Sequence, residues 1–517
     1  MIHRLLALAV AALFTRPGLV AQVDAGLAQR LDAVKEFKRF YRKFKEVSQK
    51  VEAIYTLKGN ECPAACDELL ELLTANEPDL RKAALDVVTT YSAADTWEHV
   101  LADLKSKRGA DKAAIIDALG RAGVKSAVPT LIDQAADRDA DVRYAIARAF
   151  ARLGDPGVQD SVGTMLTDGD IRVRAAACDA VGELRLKALG DAVVPMLDDS
   201  TWQVQAAAIG AVSKVRPAAA VMPLIELMRK GGRLQEDAAD ALFMVTTKDF
   251  GTNPDEWQRQ MERLVRLDWK PPSDEEVAKA MAARKKSMEF YGSKETVRTF
   301  AGIPIVSQQV LFIIDVSGSM SDLVVERDKF QGYDDYEKFT IVRSELVRTL
   351  DSLSPNTYFN IVAFATDLKT WKSFLVPANI TNKESAKSWA RGLKPIGGAS
   401  DQELASVGLG GNLAEGKTNT FKALMYSFGI DPEQPRRAAT TAASAVAKSR
   451  LDTVYFLSDG RPSVGKLIDT EEIRKAVREE NQIHRIVIHT IAIGEFQKEF
   501  LNALATENHG VFVDLGR

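Results

Sequence analysis

The sequence is poor in cysteine, in histidine and in net charge. Its 517 residues include three Cys and five His, and 68 basic against 71 acidic side chains leave a formal charge of −3. So few Cys cannot form a disulfide framework, and no Cys pair has zinc-ligand spacing completed by His. There is also no global basic field for nucleic acid. One local disulfide stays open, between Cys62 and Cys66, whose alternative is to be small buried side chains.

Glycine, proline and long apolar runs are too scarce for several fold classes. With 33 Gly, 18 Pro and 46% hydrophobic residues, collagen-like, low-complexity and polytopic membrane chains are excluded. An apolar run over residues 5–14 follows a short basic start and is too short to span a bilayer. This pattern predicts a signal peptide over residues 1–21, cleaved after Ala21, and export. The alternative is an N-terminal helix that packs against the next segment.

The next segment, residues 22–59, has the periodicity of one amphipathic helix. Apolar side chains recur every three or four residues from Leu27 to Tyr55, which predicts a basic helix of about eight turns. Eight basic side chains between Arg30 and Lys50 stand against three acidic ones. We expect a solvated basic face on a helix that docks against the following domain. Contact with an anionic membrane surface or partner is the alternative.

A repeat of 31 residues organises residues 60–268. Three apolar columns recur at this period, and their spacing places them on one helical face. The columns are Ala83, Ala114, Ala145, Ala176, Ala207 and Ala238; Val87, Ala118, Ala149, Ala180, Ala211 and Leu242; and Val88, Leu119, Phe150, Val181, Val212 and Phe243. Paired helices at this period form an α-solenoid. For a basic column at Arg81, Lys112, Arg143 and Arg174 we expect a solvated position opposite the buried stripe.

The repeat sequences share one pattern. The stretches DADVRYAIARAFARLGD, GDIRVRAAACDAVGEL and STWQVQAAAIGAVSKV match a variable turn, Val-Arg and an Ala-rich helix. They resemble short HEAT-like repeats, which also occur in phycobilisome-lyase-type proteins. The resemblance implies a binding scaffold and no lyase activity, because nothing in the sequence supplies a chromophore site.

Residues 303–517 alternate between strand and helix patterns, after a linker and helix over residues 269–302. Continuous apolar runs predict five buried strands, at residues 310–314, 359–364, 453–457, 486–493 and 511–513. Helical patterns separate most of them, at residues 337–350, 383–393, 420–428, 471–480 and 497–505. This alternation predicts an α/β doubly wound, Rossmann-like sheet, whose functional crevice lies at the carboxyl ends of the strands.

Oxygen-bearing side chains follow two of the predicted strands. The first strand runs into Asp315-Val316-Ser317-Gly318-Ser319, and a later strand runs into Ser458-Asp459-Gly460. Carboxylate and hydroxyl oxygens at alternate positions of a tight loop suit Mg²⁺ or another divalent ion that prefers oxygen. The position of both loops directly after buried strands strengthens this interpretation.

A third loop, Gly416-Lys417-Thr418-Asn419-Thr420, completes the pattern. With it, the chain resembles a von Willebrand factor type A (VWA) domain with a metal-ion-dependent adhesion site over about residues 303–517. The resemblance implies that a divalent ion, Mg²⁺ or else Mn²⁺ or Ca²⁺, is held by Asp315, Ser317, Ser319, Thr418 and Asp459. Three hydroxyls leave the charge of the ion only partly neutralised. In the family, a Glu or Asp of a protein partner completes the octahedron.

These features predict a non-enzymatic, exported protein-binding scaffold in the periplasm, the cell envelope or the extracellular space. The sequence has no His-Glu-x-x-His, Gly-x-Ser-x-Gly or P-loop motif, and its five His form no ligand cluster. Insertions at residues 322–336 and 397–415 flank the metal loops and either shape partner choice or are tolerated surface. Two alternatives stay open: the solenoid is the main binding surface, or the VWA domain is an assembly subunit of a metal-chelatase-like complex.

Overall fold

A computed structural model gives the fold of the protein. It describes residues 17–265, 269–291, 299–325, 327–333, 335–397, 416–433, 450–494 and 498–515. Most of the predicted leader, residues 1–21, and nearly all of the second insertion, residues 397–415, lie outside the described residues. The chain forms two compact units, Met1–Val193 and Val194–Arg517, which are described separately.

The first unit is helical over the residues described. Its helices are α1 (Pro17–Tyr41), α2 (Val47–Tyr55), α3 (Pro63–Leu72), α4 (Pro78–Val88), α5 (Ala94–Leu104), α6 (Gly109–Arg121), α7 (Val128–Ile132), α8 (Ala140–Leu153), α9 (Gln159–Met165), α10 (Ile171–Glu183) and α11 (Gly190–Val193). Asp139 and Asp170 cap α8 and α10, because each carboxylate accepts a hydrogen bond from the backbone N–H two residues later. The repeat therefore carries its own helix-start signals.

The single helix predicted over residues 27–55 is two helices, and the prediction was wrong here. α1 ends at Tyr41 and α2 begins at Val47. α1 buries Val34 and Phe37, whereas α2 buries Ile54. The apolar spacing continues through the break and no Gly or Pro marks it, so local sequence carried no stop signal. The packing of two separate apolar faces places the break.

The three apolar columns of the repeat lie in the helical cores of both units, as predicted. Every member is buried except Ala114, which is half-buried. Helices α6 and α8 approach so closely that a Cβ on Gly120 would lie 3.0 Å from the Cα of Ala149. Small side chains therefore let these helices pack backbone against backbone.

The basic column of the repeat is not solvated, contrary to expectation. Arg143 Nη1 donates to the carbonyl of Asp137 (2.8 Å), while its Nε and Nη2 bind the carboxylate of Asp168 (2.7 and 2.8 Å). Arg174 donates to the carbonyl of Asp168 (2.8 Å), and Lys112 Nζ lies 2.6 Å from Asp137 Oδ2. These side chains tie each helix to its flanking turns, a role that their spacing alone did not show.

The second unit contains the last helical repeats and the α/β domain. Its helices are α12 (Trp202–Val215), α13 (Val221–Arg229), α14 (Leu234–Thr246), α15 (Pro254–Val265), α16 (Asp274–Tyr291), α17 (Lys338–Ser352), α18 (Ile380–Arg391), α19 (Thr420–Tyr426), α20 (Thr470–His484) and α21 (Lys498–Glu507). Arg284 of α16 binds Asp240 and Asp249, each at 2.8 Å, so the predicted linker helix docks on the last repeat. Among the described helices of both units, none has the length and apolar character needed to cross a membrane.

The α/β domain is built on a seven-stranded sheet. The strands of the domain are β1 (Thr299–Phe300), β2 (Ile303–Pro304), β3 (Gln309–Asp315), β4 (Tyr358–Phe364), β5 (Leu368–Thr370), β6 (Val376–Pro377), β7 (Thr453–Ser458), β8 (Val487–Ala492) and β9 (Phe512–Asp514). The sheet order is β5-β4-β3-β7-β8-β9, with β6 also on β4, while β1 and β2 pair separately. The five predicted strands are the parallel ones, and the short antiparallel strands were not predicted because they lack an apolar run.

Helices cover both faces of the sheet. One face packs Phe312 and Tyr455, with 5.5 Å between ring centroids, under α17 and α18. The other packs Phe364 and Phe456, 5.3 Å apart, under α19, α20 and α21. The doubly wound prediction is therefore confirmed. Because β3 lies between β4 and β7, the strand order reverses at β3, and a crevice is expected at the carboxyl ends of these strands.

The cysteines form no disulfide with one another. Cys62, Cys66 and Cys178 are buried and none of them takes part in a disulfide, so the local disulfide left open by the sequence is not present. Burial is the main reason that the pKa of Cys66 is raised to about 12, which keeps this thiol protonated. The cysteines therefore serve as small core side chains.

Candidate metal centre

Three loops meet at the carboxyl ends of β3 and β7. The first follows β3 at residues 315–319, and another follows β7 at residues 458–460. The parallel register pairs Ile314 with Leu457, so the residues that follow these two emerge side by side. The loop that carries Thr418 joins them directly before α19. The sheet topology thus brings together segments that lie about 140 residues apart in the chain.

Backbone contacts fix the Thr418 loop against the other two. Gly318 N donates to the carbonyl of Gly416 (3.0 Å). Ser463 N donates to the carbonyl of Thr418 (2.9 Å), and Thr418 N donates to Ser463 Oγ (2.9 Å). A Cβ on Gly416 would lie 2.2 Å from the carbonyl oxygen of Ile396, so only glycine fits there. The hydroxyl of Thr418 is therefore held on a well-anchored loop.

Asp315 organises the first loop. Its Oδ1 accepts from Ser317 N (2.8 Å), and its Oδ2 accepts from Ser458 Oγ (2.5 Å). The side chain is fully buried. Burial, together with the nearby carboxylate of Asp459, raises the pKa of Asp315. Ionisation of the buried Asp315 carboxylate is therefore costly, and a bound cation would relieve that cost.

The hydroxyls of Ser317, Ser319 and Thr418 and the carboxylate of Asp459 form a cradle at this end of the sheet. Ser317 Oγ and Ser319 Oγ lie 3.3 Å apart, and Ser319 Oγ donates to Asp459 Oδ1 (2.8 Å). A Cβ on Gly460 would lie 3.2 Å from Thr418 Oγ1 and 3.5 Å from Ser319 Oγ. The absence of a side chain at Gly460 therefore keeps space open beside both hydroxyls.

The residues fit the divalent ion that the VWA resemblance implies. Asp315, Ser317, Ser319, Thr418 and Asp459 come together and offer oxygen atoms, the ligands that Mg²⁺, Mn²⁺ and Ca²⁺ prefer. No group of three or more His, Cys, Asp or Glu able to hold a metal occurs within the described ranges. The structure shows the assembly of the five residues, and their ligation of a metal stays a prediction.

Lys338 also lies in this site and was missed at the level of sequence. Its Nζ is 2.7 Å from Asp459 Oδ2 and 3.4 Å from the carbonyl oxygen of Ser319. Lys338 is the first residue of α17 and only 7% exposed. The insertion at residues 322–336 separates it from the first metal loop, so no local motif pointed to it.

That insertion, residues 322–336, folds back on itself beside the first loop. Lys338 N donates to the carbonyl of Asp322 (3.0 Å), and Val324 N donates to the carbonyl of Tyr336 (2.9 Å). Its two ends are therefore held together, which returns the chain to the metal loops. Val325, by contrast, is 79% exposed, so the loop presents an apolar side chain to solvent.

Comparison with known proteins gives separate matches for the helical repeats and for the C-terminal part of the chain. The HEAT repeats family matches residues 98–170 and 160–242. The C-terminal part is similar to inter-alpha-trypsin inhibitor heavy chain H4 of Homo sapiens, at 26% identity over 211 residues, or 41% of this chain and 18% of the relative. Heavy chain H3 of Mus musculus is 28% identical over 212 residues, covering 41% and 19%. The chain thus spans less than a fifth of the length of these curated relatives, which are covered to 18% and 19%.

Solved structures show weaker similarity. A von Willebrand factor type A protein from Catenulispora acidiphila matches with 17% identity over 40% of this chain and 39% of that chain, at a TM-score of 0.28. Proximal thread matrix protein 1 from the mussel byssus, described with a zinc-occupied MIDAS motif, matches with 17% identity over 40% and 43%, at a TM-score of 0.25. We draw no functional argument from scores this low.

The chain has HEAT repeats in its N-terminal region and a VWA domain in its C-terminal part. The family match covers residues 98–242 of the repeat region, and the heavy-chain relatives cover the C-terminal part. The sheet order and the helices on both faces agree with the second assignment. The resemblance seen in the sequence is thereby confirmed at the level of domains.

Proposed function

We propose that this protein is an exported, non-enzymatic scaffold whose VWA domain binds a carboxylate of a protein partner through a divalent metal ion. The observation that carries the proposal is the cradle at the carboxyl ends of β3 and β7. There, Ser317, Ser319 and Thr418 offer hydroxyls beside two buried carboxylates, and Gly460 leaves room next to them. Bound there, Mg²⁺, Mn²⁺ or Ca²⁺ would supply a Lewis-acidic contact for an anionic oxygen.

The residues of the site favour an incoming anion in two ways. Hydroxyl ligands are neutral, so they leave more of the ion's positive charge available than carboxylate ligands would. Lys417 directly precedes Thr418, Arg461 follows Asp459 two positions later, and both are exposed. Exposed cations near a metal attract an acidic partner and speed its encounter with the site. These features support a Glu or Asp of the partner as the contacting group.

The first experiment measures metal binding directly. We expect calorimetric titration to show one saturable Mg²⁺ site, and the variant Thr418→Val to bind Mg²⁺ at least about tenfold more weakly, because a ligand oxygen is replaced by a methyl group of the same size. Thr370→Val is the matched control, since Thr370 lies exposed on the short strand β5. Absence of saturable binding, or equal loss in both variants, would refute the metal site.

The second experiment identifies the partner. Immobilised full-length protein should capture partners from the native cell envelope in Mg²⁺ and lose them in EDTA, and Thr418→Val should behave like the EDTA sample. Proteins retained in EDTA and by the variant would instead favour the HEAT repeats as the main binding surface. Retention of the partners both in EDTA and by Thr418→Val would overturn the metal-bridged contact.

Export is the remaining part of the proposal. It rests on the apolar run at residues 5–14 and the basic start before it. N-terminal sequencing of protein purified from its native cells should find residue 22 at or near the start. A chain that retains Met1 and fractionates with cytoplasmic markers would exclude this location.

A further inference from the structure

Lys338 is a buried cation inside a site that the proposed function reserves for a metal. Its Nζ forms an ion pair with Asp459 Oδ2 at 2.7 Å and lies 3.8 Å from the exposed carboxylate of Asp322. Lysine is rarely buried unless it is paired. A Cβ on Gly494 would lie 3.4 Å from Lys338 Cε and 3.6 Å from Nζ, so the lysine side chain passes close to the backbone of Gly494.

The charges around the cradle differ with and without this lysine. The two buried carboxylates, Asp315 and Asp459, carry two negative charges when ionised, and Lys338 returns one positive charge. For these three buried groups alone, a divalent ion would bring the net charge to +1, whereas without Lys338 the loaded site would be neutral. The carboxylate of Asp322 is left out of this count because it is 67% exposed and therefore well screened by water. Inside a poorly solvated site, a difference of one charge strongly changes the affinity for any further ion.

We propose that Lys338 serves as a built-in cation of the site, which lowers the affinity for the metal ion and raises the affinity of the metal-loaded site for a partner carboxylate. By neutralising Asp459, it weakens the hold of the site on the ion. By leaving the loaded site positive, it strengthens the hold of the ion on a partner carboxylate. Lys338 thus acts through Asp459 as a positioning and charge-setting residue. This inference rests on the proposed function, because it concerns the same site and its acidic partner.

The experiment compares Lys338→Met with the wild type in the full-length protein. Methionine keeps the length and apolar body of the side chain and removes the charge. We expect Mg²⁺ affinity, measured by calorimetry, to rise at least about tenfold, because repulsion between the ammonium and the ion is removed. We expect the affinity of the Mg²⁺-loaded protein for acetate to fall at least about fivefold, because the loaded site loses its net positive charge. Acetate binding is followed by NMR on ¹⁵N-glycine-labelled protein, which contains Gly318 and Gly460.

Two further variants separate charge from structure. Lys338→Arg keeps the positive charge and should retain both affinities within about threefold. Lys387→Met is the matched control, because Lys387 is also 7% exposed and is also paired with carboxylates. Its partners are Asp351, at the end of α17, and Glu384, within α18. This variant should change neither affinity. Circular dichroism in EDTA checks that each variant is folded.

The outcomes are distinguishable. Opposite changes of the two affinities in Lys338→Met, with neither change in Lys387→Met, support the inference. A lower or unchanged Mg²⁺ affinity in folded Lys338→Met overturns the inference. In that case, saturable Mg²⁺ binding by the wild-type protein still leaves the proposed function intact. If neither wild type nor Lys338→Met binds Mg²⁺ saturably, the proposed function fails and the inference falls with it.

Discussion

The repeat contact of Arg143 gives a stability prediction that can be worked from the structure. Arg143 makes two charge-assisted hydrogen bonds to the carboxylate of Asp168 and one to the carbonyl of Asp137. The two side chains are 19% and 11% exposed. Burial acts to raise the pKa of Asp168, but its hydrogen bond with Arg143 and a backbone N–H bond outweigh it and leave that pKa below its ordinary value. The pair is therefore stabilising at neutral pH.

Replacing Arg143 by Met removes the charge and leaves Asp168 without its main partner. Loss of one member of a buried ion pair costs about 3 to 5 kcal/mol, and the partial exposure of this pair places the expected loss near the lower limit, at about 3 kcal/mol. Arg143→Lys should cost only about 1 kcal/mol. Lys112, one repeat earlier, shows that a lysine at this position can bind its aspartate, at 2.6 Å from Asp137.

The assay follows urea unfolding of the first unit through Trp97. Trp97 is buried in α5 and is the single tryptophan in the sequence of Met1–Val193. Labelling with 5-fluorotryptophan gives it a resolved ¹⁹F signal. Arg138→Met is the control, because Arg138 is exposed, and it should change the free energy of unfolding by less than about 0.5 kcal/mol. Equal effects of Arg143→Met and Arg138→Met would refute the structural role given to this column.

Two further predictions concern the VWA domain. Gly460→Ala should weaken Mg²⁺ binding at least about tenfold, because its Cβ enters the space beside two hydroxyls and Mg²⁺ tolerates little distortion. The control Gly332→Ala should leave Mg²⁺ binding unchanged, because a Cβ there would meet nothing within 4 Å. Similar calorimetric affinities for the two variants would contradict the cradle. His489 Nδ1 accepts from Val511 N (3.0 Å), and burial, then Arg233, lowers the pKa of His489 to about 4. The unfolded chain takes up this proton at higher pH, so the free energy of unfolding should fall by at most about 3 kcal/mol between about pH 6.5 and 4. His489→Gln should lose that part of the slope in denaturant titrations, and an unchanged slope would count against this origin.

Much of the fold was readable because its signals are local. A strand buried on both faces must be apolar throughout, so the run before Asp315 marks β3 without any knowledge of its neighbours. The 31-residue columns likewise repeat a packing requirement that each helix pair meets in the same way. Alternation of these strands with helical segments then indicated a doubly wound sheet, which the structure has.

The failures occur where a distant contact decides the outcome. Nothing between Tyr41 and Val47 stops a helix, yet α1 and α2 bury separate faces. Arg143 looks like a surface residue by its position in the repeat, but Asp168, 25 residues later, binds it. The short antiparallel strands on β4 are too brief to carry a pattern of their own.

The candidate site shows the same division. The sequence alone determined the chemical identity of its oxygen donors and their positions after buried strands, because loop motifs and apolar runs are continuous in the chain. Only the tertiary structure decided that Gly460 leaves space between Thr418 and Ser319, and that Lys338 reaches Asp459. Those two features depend on the register of β3 against β7 and on the path of the insertion at residues 322–336, and such long-range geometry has no local signature in the sequence.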